Sequence, residues 1–235
     1  MFNLIRKIKN QFIYGCRSNS DEYVKHLRKL GMKIGNRVKI FNPAHTCIDE
    51  TRPWMIEIGD DVQITEGVTI LTHGYDWSVL KRVYGEVLGS VGGVYIGNNV
   101  FIGMQTTILK GVHIGNNVII GANSLVNTDI PDNCVAAGNP CREIMTIDDY
   151  YKKRKSLQIK EATEMVHQYR ERYGTEPSTE IMREHFWLFS NDPDGLPEEW
   201  RKVNRLLGNE EYTNNIMKRH RTAFHSMNDF LKSVK

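Results

Sequence analysis

The chain has 235 residues, 40% of them hydrophobic and 25% charged, with a formal net charge of +3. Those fractions are the ones soluble globular proteins show, and the length suits one large domain or two small ones. A charge this small makes no electrostatic case for nucleic acid as a partner, and the repeat region described below lacks the basic run with interleaved aromatics that such binding uses. The four cysteines (Cys16, Cys47, Cys134, Cys141) are scattered and form no Cys-x-x-Cys pair. That pattern fits a reducing, cytoplasmic setting better than a disulfide framework. No apolar stretch approaches membrane-spanning length, and the N-terminus lacks a signal-type apolar region.

Residues 1–31 form the first segment and read as two helices broken near Gly15–Asn19, with Ser18 and Asp21 as caps for the second, over Glu22–Leu30. Residues 1–33 hold eight Lys/Arg against only Asp21 and Glu22, and Met1, Leu4, Ile5, Ile8 and Phe12 fall at helical spacing beside Arg6, Lys7 and Lys9. A basic amphipathic helix of this kind, over residues 1–13, can rest weakly on the inner face of an anionic membrane. It can equally pack on the end of the next segment or on a neighbouring subunit, and that is the reading the short length favours.

Residues 32–144 carry a six-residue repeat. An aliphatic residue recurs at Ile96, Ile102, Ile108, Ile114, Ile120 and Val126, with a compact residue four further on at Val100, Thr106, Val112, Val118 and Ser124. The same register appears earlier as Ile34/Val38, Ile40/Ala44, Ile58/Val62 and Ile64/Val68. Six matches neither the 3.6 period of a helix nor a chain of hairpins. It is the period of a parallel β-helix, three hexads to a triangular coil, each coil burying its aliphatic stripe only by stacking on the next at about 4.8 Å. The paired Asn98-Asn99 and Asn116-Asn117 suit the corners, since Asn tolerates left-handed backbone angles. The phase breaks twice, at Asp49–Met55 and between His73 and Val94. The second break is a long excursion from a rigid frame, the place where function usually sits.

After residue 145 the composition changes. Residues 145–235 read as a helical extension, with helices over Tyr150–Arg172, Ser178–Phe189, Pro197–Leu207 and Glu210–Leu231. Trp187, Phe186, Trp200, Phe224 and Phe230 supply apolar area for a small core. No motif for chemistry is visible in this segment.

Three histidines fall in or near the coils. His45 and His113 take the last place of a hexad, at outward corners, and His73 opens the excursion directly after Val68-Thr-Ile-Leu-Thr72. Zinc binding would need histidines converging from adjacent faces at close spacing, and these are isolated, so no metal is expected. Acyl transfer needs less: a general base for an acceptor hydroxyl and donors for the oxyanion. A neutral histidine at a stiff strand end suits the first of these, which makes His73 the candidate catalytic residue.

The run Ile96-Gly-Asn-Asn-Val-Phe-Ile-Gly-Met through Ile120-Gly-Ala-Asn-Ser-Leu-Val126, followed by Asp129-Ile-Pro and Ala136-Ala-Gly-Asn-Pro-Cys-Arg142, resembles the hexapeptide acyltransferase family, and within it the galactoside, maltose and capsular-polysaccharide O-acetyltransferases. The resemblance implies a left-handed β-helix and a homotrimer with acetyl-CoA lying between adjacent β-helices. It implies His73 as the catalytic histidine and Met104, Ala122, Asn127, Thr128 and Arg142 as residues along the coenzyme. Met104 departs from the Ser or Ala usual there. His45 falls where the sugar acetyltransferases place an acceptor ligand, and Tyr75, Asp76, Trp77 and Tyr84 in the excursion could form a saccharide platform or pack the excursion onto a neighbour. The larger helical extension follows the repeats, unlike in serine acetyltransferases, where it precedes them.

Three functions remain open at this point. One is an acetyl-CoA-dependent O-acetyltransferase acting on a saccharide hydroxyl, of a cell-surface polysaccharide or its precursor. Another is an N-acetyltransferase of a drug or amino sugar. The third is a non-catalytic trimeric scaffold, which would need neither His73 nor the excursion.

Overall fold

The computed structural model describes residues 12–234. The N-terminal apolar and basic stripe, from Met1 to Lys9, and with it most of the membrane-contact segment, lies outside the described residues. The chain forms two compact units, one ending at Tyr150 and the other beginning at Tyr151.

The first unit is the hexapeptide β-helix. Its strands form three parallel faces. One stacks Lys33–Ile34, Ile56–Ile58, Val94–Ile96 and His113–Ile114. The second stacks Lys39–Ile40, Gln63–Ile64, Val100–Ile102, Val118–Ile120 and Cys134–Ala137. The third stacks Cys47–Ile48, Thr69–Ile70, Thr107–Ile108 and Leu125–Val126. Register is set by the repeat itself: Ile102 pairs with Ile64 and Ile120, and Ile108 with Ile70 and Val126. Each aliphatic side chain therefore sits on its counterpart one coil away. Ile64, Ile70, Ile102, Ile108 and Ile120 have no exposed surface, and burying each contributes about 1.5–3 kcal/mol. The compact inward residues at one corner are polar yet satisfied: the Thr106 and Ser124 hydroxyls both donate to the Gly121 carbonyl, at 3.2 and 2.7 Å.

The corners bear out the asparagine reading. Asn99, Asn117 and Asn133 have φ of 55°, 56° and 58°. Their side chains also form a ladder, Asn99 Nδ2 donating to Asn117 Oδ1 at 2.9 Å and Asn117 Nδ2 to Asn133 Oδ1 at 2.8 Å. At Gly103 the requirement is space, because a Cβ there would lie 2.5 Å from the backbone nitrogen of Ala122 on the next coil.

The excursion is more ordered than a loop. His73–Gly74 pairs antiparallel with Ser90–Val91, and between them runs a helix, Trp77–Tyr84, closed by Gly85 at φ 77°. Ile58 and Ile96 remain register partners although 38 residues apart, so the insertion leaves the coil phase intact. The first break, too, holds structure, a 3-10 turn over Pro53–Met55.

Ahead of the coils, helix Ser20–Leu30 buries Tyr23, Val24 and Leu27 into the same core. Its cap is Asn19, whose side chain accepts from the Glu22 N–H at 3.0 Å, rather than Ser18 or Asp21. Asn19 has the extended backbone an N-cap needs, and the helix starts two residues earlier than its composition suggested.

The second unit takes up most of helix Ile147–Tyr173 and the helices Glu198–Leu206, Glu210–Met217 and Met227–Ser233. Two expected helices differ. Residues 178–189 form turns and a 3-10 turn over Phe186–Leu188, because Phe186, Leu188 and Phe189 are all buried and one α-helical face cannot turn three of four consecutive residues inward. The long helix expected to Leu231 stops at Met217. The Ala223 and Phe224 N–H groups instead donate to the Leu188 carbonyl, at 3.1 and 3.0 Å, and Ser226 caps a new helix. Trp200, Phe189, Phe230, Met182 and Met217 centre this unit's core.

Candidate active site

His73 leaves the third face of the coil at its edge, three residues beyond Ile70, the register partner of Ile108. The strand Cys47–Ile48 lies beside Thr69–Ile70, and the Asp49 N–H donates to the Ile70 carbonyl at 3.0 Å. Asp49 is thereby held next to Thr72 and His73. His73 Nδ1 lies 2.7 Å from Asp49 Oδ2, with 15% of the histidine side chain and 3% of the aspartate side chain exposed.

The carboxylate is held by more than the imidazole. Its Oδ1 accepts from the Thr51 backbone N–H at 2.9 Å and the Thr51 hydroxyl at 2.6 Å. Its Oδ2 accepts from the Thr72 backbone N–H at 3.2 Å and from the Thr72 hydroxyl. Burial acts to raise the pKa of Asp49, but the hydrogen bonds from Thr51, Thr72 and His73 outweigh it and hold the group well below the usual carboxylate range. An ionised carboxylate can only accept, so Nδ1 of His73 carries a proton, and in the neutral ring Nε2 presents a lone pair. Nε2 has no protein partner among the described residues. The carboxylate thus fixes the orientation of the imidazole ring.

Around His73 stand parts of the expected saccharide platform. Tyr75 meets the imidazole edge-on at 4.7 Å between ring centres, and Trp77 meets Tyr75 at 6.1 Å. Asp76 turns its carboxylate back toward Gly74. Tyr84 lies at the far end of the excursion helix, 72% exposed, away from this cluster. His45 is also elsewhere, on the edge between the second and third faces, where its Nδ1 is 4.0 Å from Glu66 Oε1. His113 stacks in parallel on Tyr95 at 4.5 Å on the first face.

The residues expected along the coenzyme fall in two groups. Arg142 Nη1 donates to Asn127 Oδ1 at 3.2 Å and Thr128 Oγ1 at 3.4 Å, which gathers those three at the edge that also bears His73. Two coils separate them from it, roughly 10 Å at the strand spacing. Met104 and Ala122 are exposed neighbours on the edge shared with His45, where the Asn123 N–H donates to the Met104 carbonyl at 2.8 Å. The width of the third face divides this group from His73, so a single chain does not bring the two groups together. Among the described residues no group of three or more His, Cys, Asp or Glu side chains is placed to hold a metal ion.

Asp49, Thr51 and Thr72 have no counterpart among the residues the sequence singled out. The signal lies in the repeat: the Ile48–Ile70 pairing, carried one and two residues onward, sets Asp49 beside the strand that ends in His73.

The match to known proteins is concentrated in the same region. The model of the bacterial transferase hexapeptide (six repeats) matches residues 93–128. Protein CapG of Staphylococcus aureus is 40% identical over 127 residues, covering 54% of this chain and 73% of that protein. Galactoside O-acetyltransferase of Escherichia coli K12 is 43% identical over 104 residues, covering 44% of this chain and 49% of that protein. Among solved structures, a galactoside acetyltransferase in complex with coenzyme A aligns at 26% identity over 63% of this chain and 83% of that one, with a TM-score of 0.47. With its coils, its corner ladder and a relative matched over most of its length, the chain belongs to the bacterial hexapeptide-repeat transferase family.

Proposed function

We propose that this protein is an acetyl-CoA-dependent O-acetyltransferase acting on a saccharide hydroxyl, by direct transfer with His73 as general base. The observation that carries the reading is the His73–Asp49 pair: a buried, ionised carboxylate on Nδ1 leaves Nε2 free to take the acceptor's proton. The hydroxyl oxygen then attacks the thioester carbonyl, the tetrahedral intermediate collapses, and the thiolate leaves with the proton returned from the imidazolium. No cysteine stands beside His73, which favours transfer without an acetyl-enzyme. The saccharide class is supported by the aromatic Tyr75 and Trp77 beside the base and by the name of one relative, a galactoside O-acetyltransferase.

The coenzyme residues fit an extended thioester ligand in charge and shape. Arg142, with Asn127 and Thr128, offers a cationic and polar end, and Ala122 a small exposed corner over which a narrow arm can pass. Because Met104 and Ala122 sit across the third face from His73, the reading places acetyl-CoA in a groove between two copies, with one copy supplying His73 and the other Met104 and Ala122. A homotrimer provides three such grooves.

The test is release of free coenzyme A thiol from acetyl-CoA with a panel of saccharides, with the product identified by mass. Acetylation of a sugar hydroxyl that disappears in His73→Ala supports the reading. Transfer only to amines supports an N-acetyltransferase, and no transfer to any acceptor by a chain that is trimeric in light scattering supports a scaffold.

A further inference from the structure

The second unit contains a concavity of about 540 Å³ that the transfer chemistry does not use. One wall is a stripe of helix Ile147–Tyr173: Tyr151, Arg154, Lys155 and Gln158 fall at i, i+3, i+4 and i+7. That spacing normally marks an apolar face turned to a core. Here it carries two cations and an amide, and it faces open space.

The opposite wall comes from distant sequence. The Trp187 indole and the His220 imidazole lie 4.4 Å apart, and the ring is locked by its Nε2–H donating to the Trp187 carbonyl at 2.7 Å. Arg221 follows directly. The cavity thus draws on two basic runs, Lys152-Lys153-Arg154-Lys155 and Lys218-Arg219-His220-Arg221, and no acidic side chain among the described residues lines it. Arg154 is held bidentately by Glu161, at 2.7 and 2.6 Å. Lys155 has only the Tyr151 ring beneath its ammonium, at 5.5 Å, and Arg221 forms no ion pair among the described residues. Like charges gathered around a hollow repel one another unless an anion joins them.

We infer that this cavity is a binding site for a saccharide bearing a phosphate or carboxylate group. Lys155 and Arg221 meet the anion, which guanidinium and ammonium groups bind through charge-assisted hydrogen bonds. The Tyr151, Trp187 and His220 rings take the apolar face of the sugar, and Gln158 reaches its hydroxyls. The volume lies in the range of small-molecule sites, about 300–1,000 Å³. A nucleic acid strand would need a groove that tracks its backbone, and this hollow is local. The inference does not depend on the acetyl-transfer reading, since none of these residues belongs to the first unit.

Isothermal titration of the 235-residue chain with glucose 6-phosphate, glucuronate, glucose, inorganic phosphate and a deoxythymidine oligomer tests it. At least one of the two anionic sugars should bind about tenfold or more tightly than glucose and than inorganic phosphate. Preference between the two identifies phosphate or carboxylate as the natural group. The Lys155→Ala/Arg221→Ala variant, which alters two exposed side chains, should lose that binding with an unchanged circular dichroism spectrum, while His73→Ala should retain it. Equal binding of glucose, equal binding of inorganic phosphate, tighter binding of the oligomer, no binding at all, or a double variant that binds like the wild type would each overturn the assignment. In the wild type the affinity should also fall as salt is raised, and a salt-independent affinity would equally count against it.

Discussion

Replacing Asp49 with Asn changes one atom of a buried side chain and tests whether His73 works as an oriented base. The amide oxygen of the variant can keep the two Thr51 donors, the N–H at 2.9 Å and the hydroxyl at 2.6 Å. Its NH₂ group then faces His73 Nδ1 and the Thr72 N–H, both donors to the carboxylate in the wild type. The Thr72 hydroxyl can rotate to accept, but the backbone N–H of fully buried Thr72 loses its partner, a loss of about 1–3 kcal/mol in stability. At His73 the amide donates to Nδ1 and drives the proton to Nε2, the atom that must accept from the substrate. The expected fall in kcat is about 10²–10⁴-fold, the range that loss of a correctly oriented general base produces. Steady-state thiol release measures it, with the KM for acetyl-CoA nearly unchanged. Because the two residues act as one unit, Asp49→Asn added to His73→Ala should cost little further activity. The pH dependence has a definite sign. The pKa of Asp49 is depressed in the folded chain, so its contribution to stability is present above the ordinary carboxylate value near about pH 4 and is lost as pH falls through the lower, folded-state value. The variant lacks that acid-side loss. If Asp49→Asn keeps more than about a tenth of wild-type kcat, a factor too small for general-base disruption, the orienting role is refuted.

His73→Ala should remove about 10²–10⁴-fold of turnover while acetyl-CoA affinity, read by titration, stays nearly constant; His113→Ala, whose ring stacks on exposed Tyr95 well away from Asp49, should behave as wild type. Ala122→Trp places a bulky ring on an exposed corner, so coenzyme A binding should drop at least about tenfold with little change in Tm, and an unchanged affinity would move the coenzyme elsewhere. Glu50→Gln weakens the anchor of the helix Ser20–Leu30, where Arg17, Tyr23 and His26 converge on one carboxylate at 2.6, 3.0 and 3.1 Å. A loss of about 1–3 kcal/mol is expected at neutral pH. Burial raises the pKa of Glu50 and the three partners more than offset it, so the difference between Glu50→Gln and wild type should shrink as pH falls below about pH 4, which thermal melts would show.

The β-helix was legible in the sequence because its period is a local property. A coil cannot bury its stripe alone, so a repeat of Ile and Val every six residues has few other solutions, and the register pairs fall where the repeat puts them. The corner asparagines were equally legible, since left-handed backbone favours a short list of residue types. His73 stood out by position, as the last residue before the chain leaves the coil. Its partner did not: Asp49 is 24 residues away and falls inside a phase break, so only the stacking of the first coil on the second joins them. The same holds for Glu50, which no local pattern connects to Arg17, Tyr23 and His26.

In the second unit the sequence determined least. Composition marked Tyr150–Arg172 as helix to within three residues at its start and one at its end, but the aromatic run Phe186–Phe189 could satisfy its burial only by abandoning the helix its composition suggested. Tertiary structure also decided that Arg154 and Lys155 face one hollow together with His220 and Arg221, more than sixty residues further along the chain. Periodicity reports which side of an element is buried when the burial is apolar and repeated. It carries no information about which distant polar groups will meet, because those encounters are set by how whole elements stack, and a carboxylate, a histidine or an arginine looks the same in sequence whether it ends in water or against a partner.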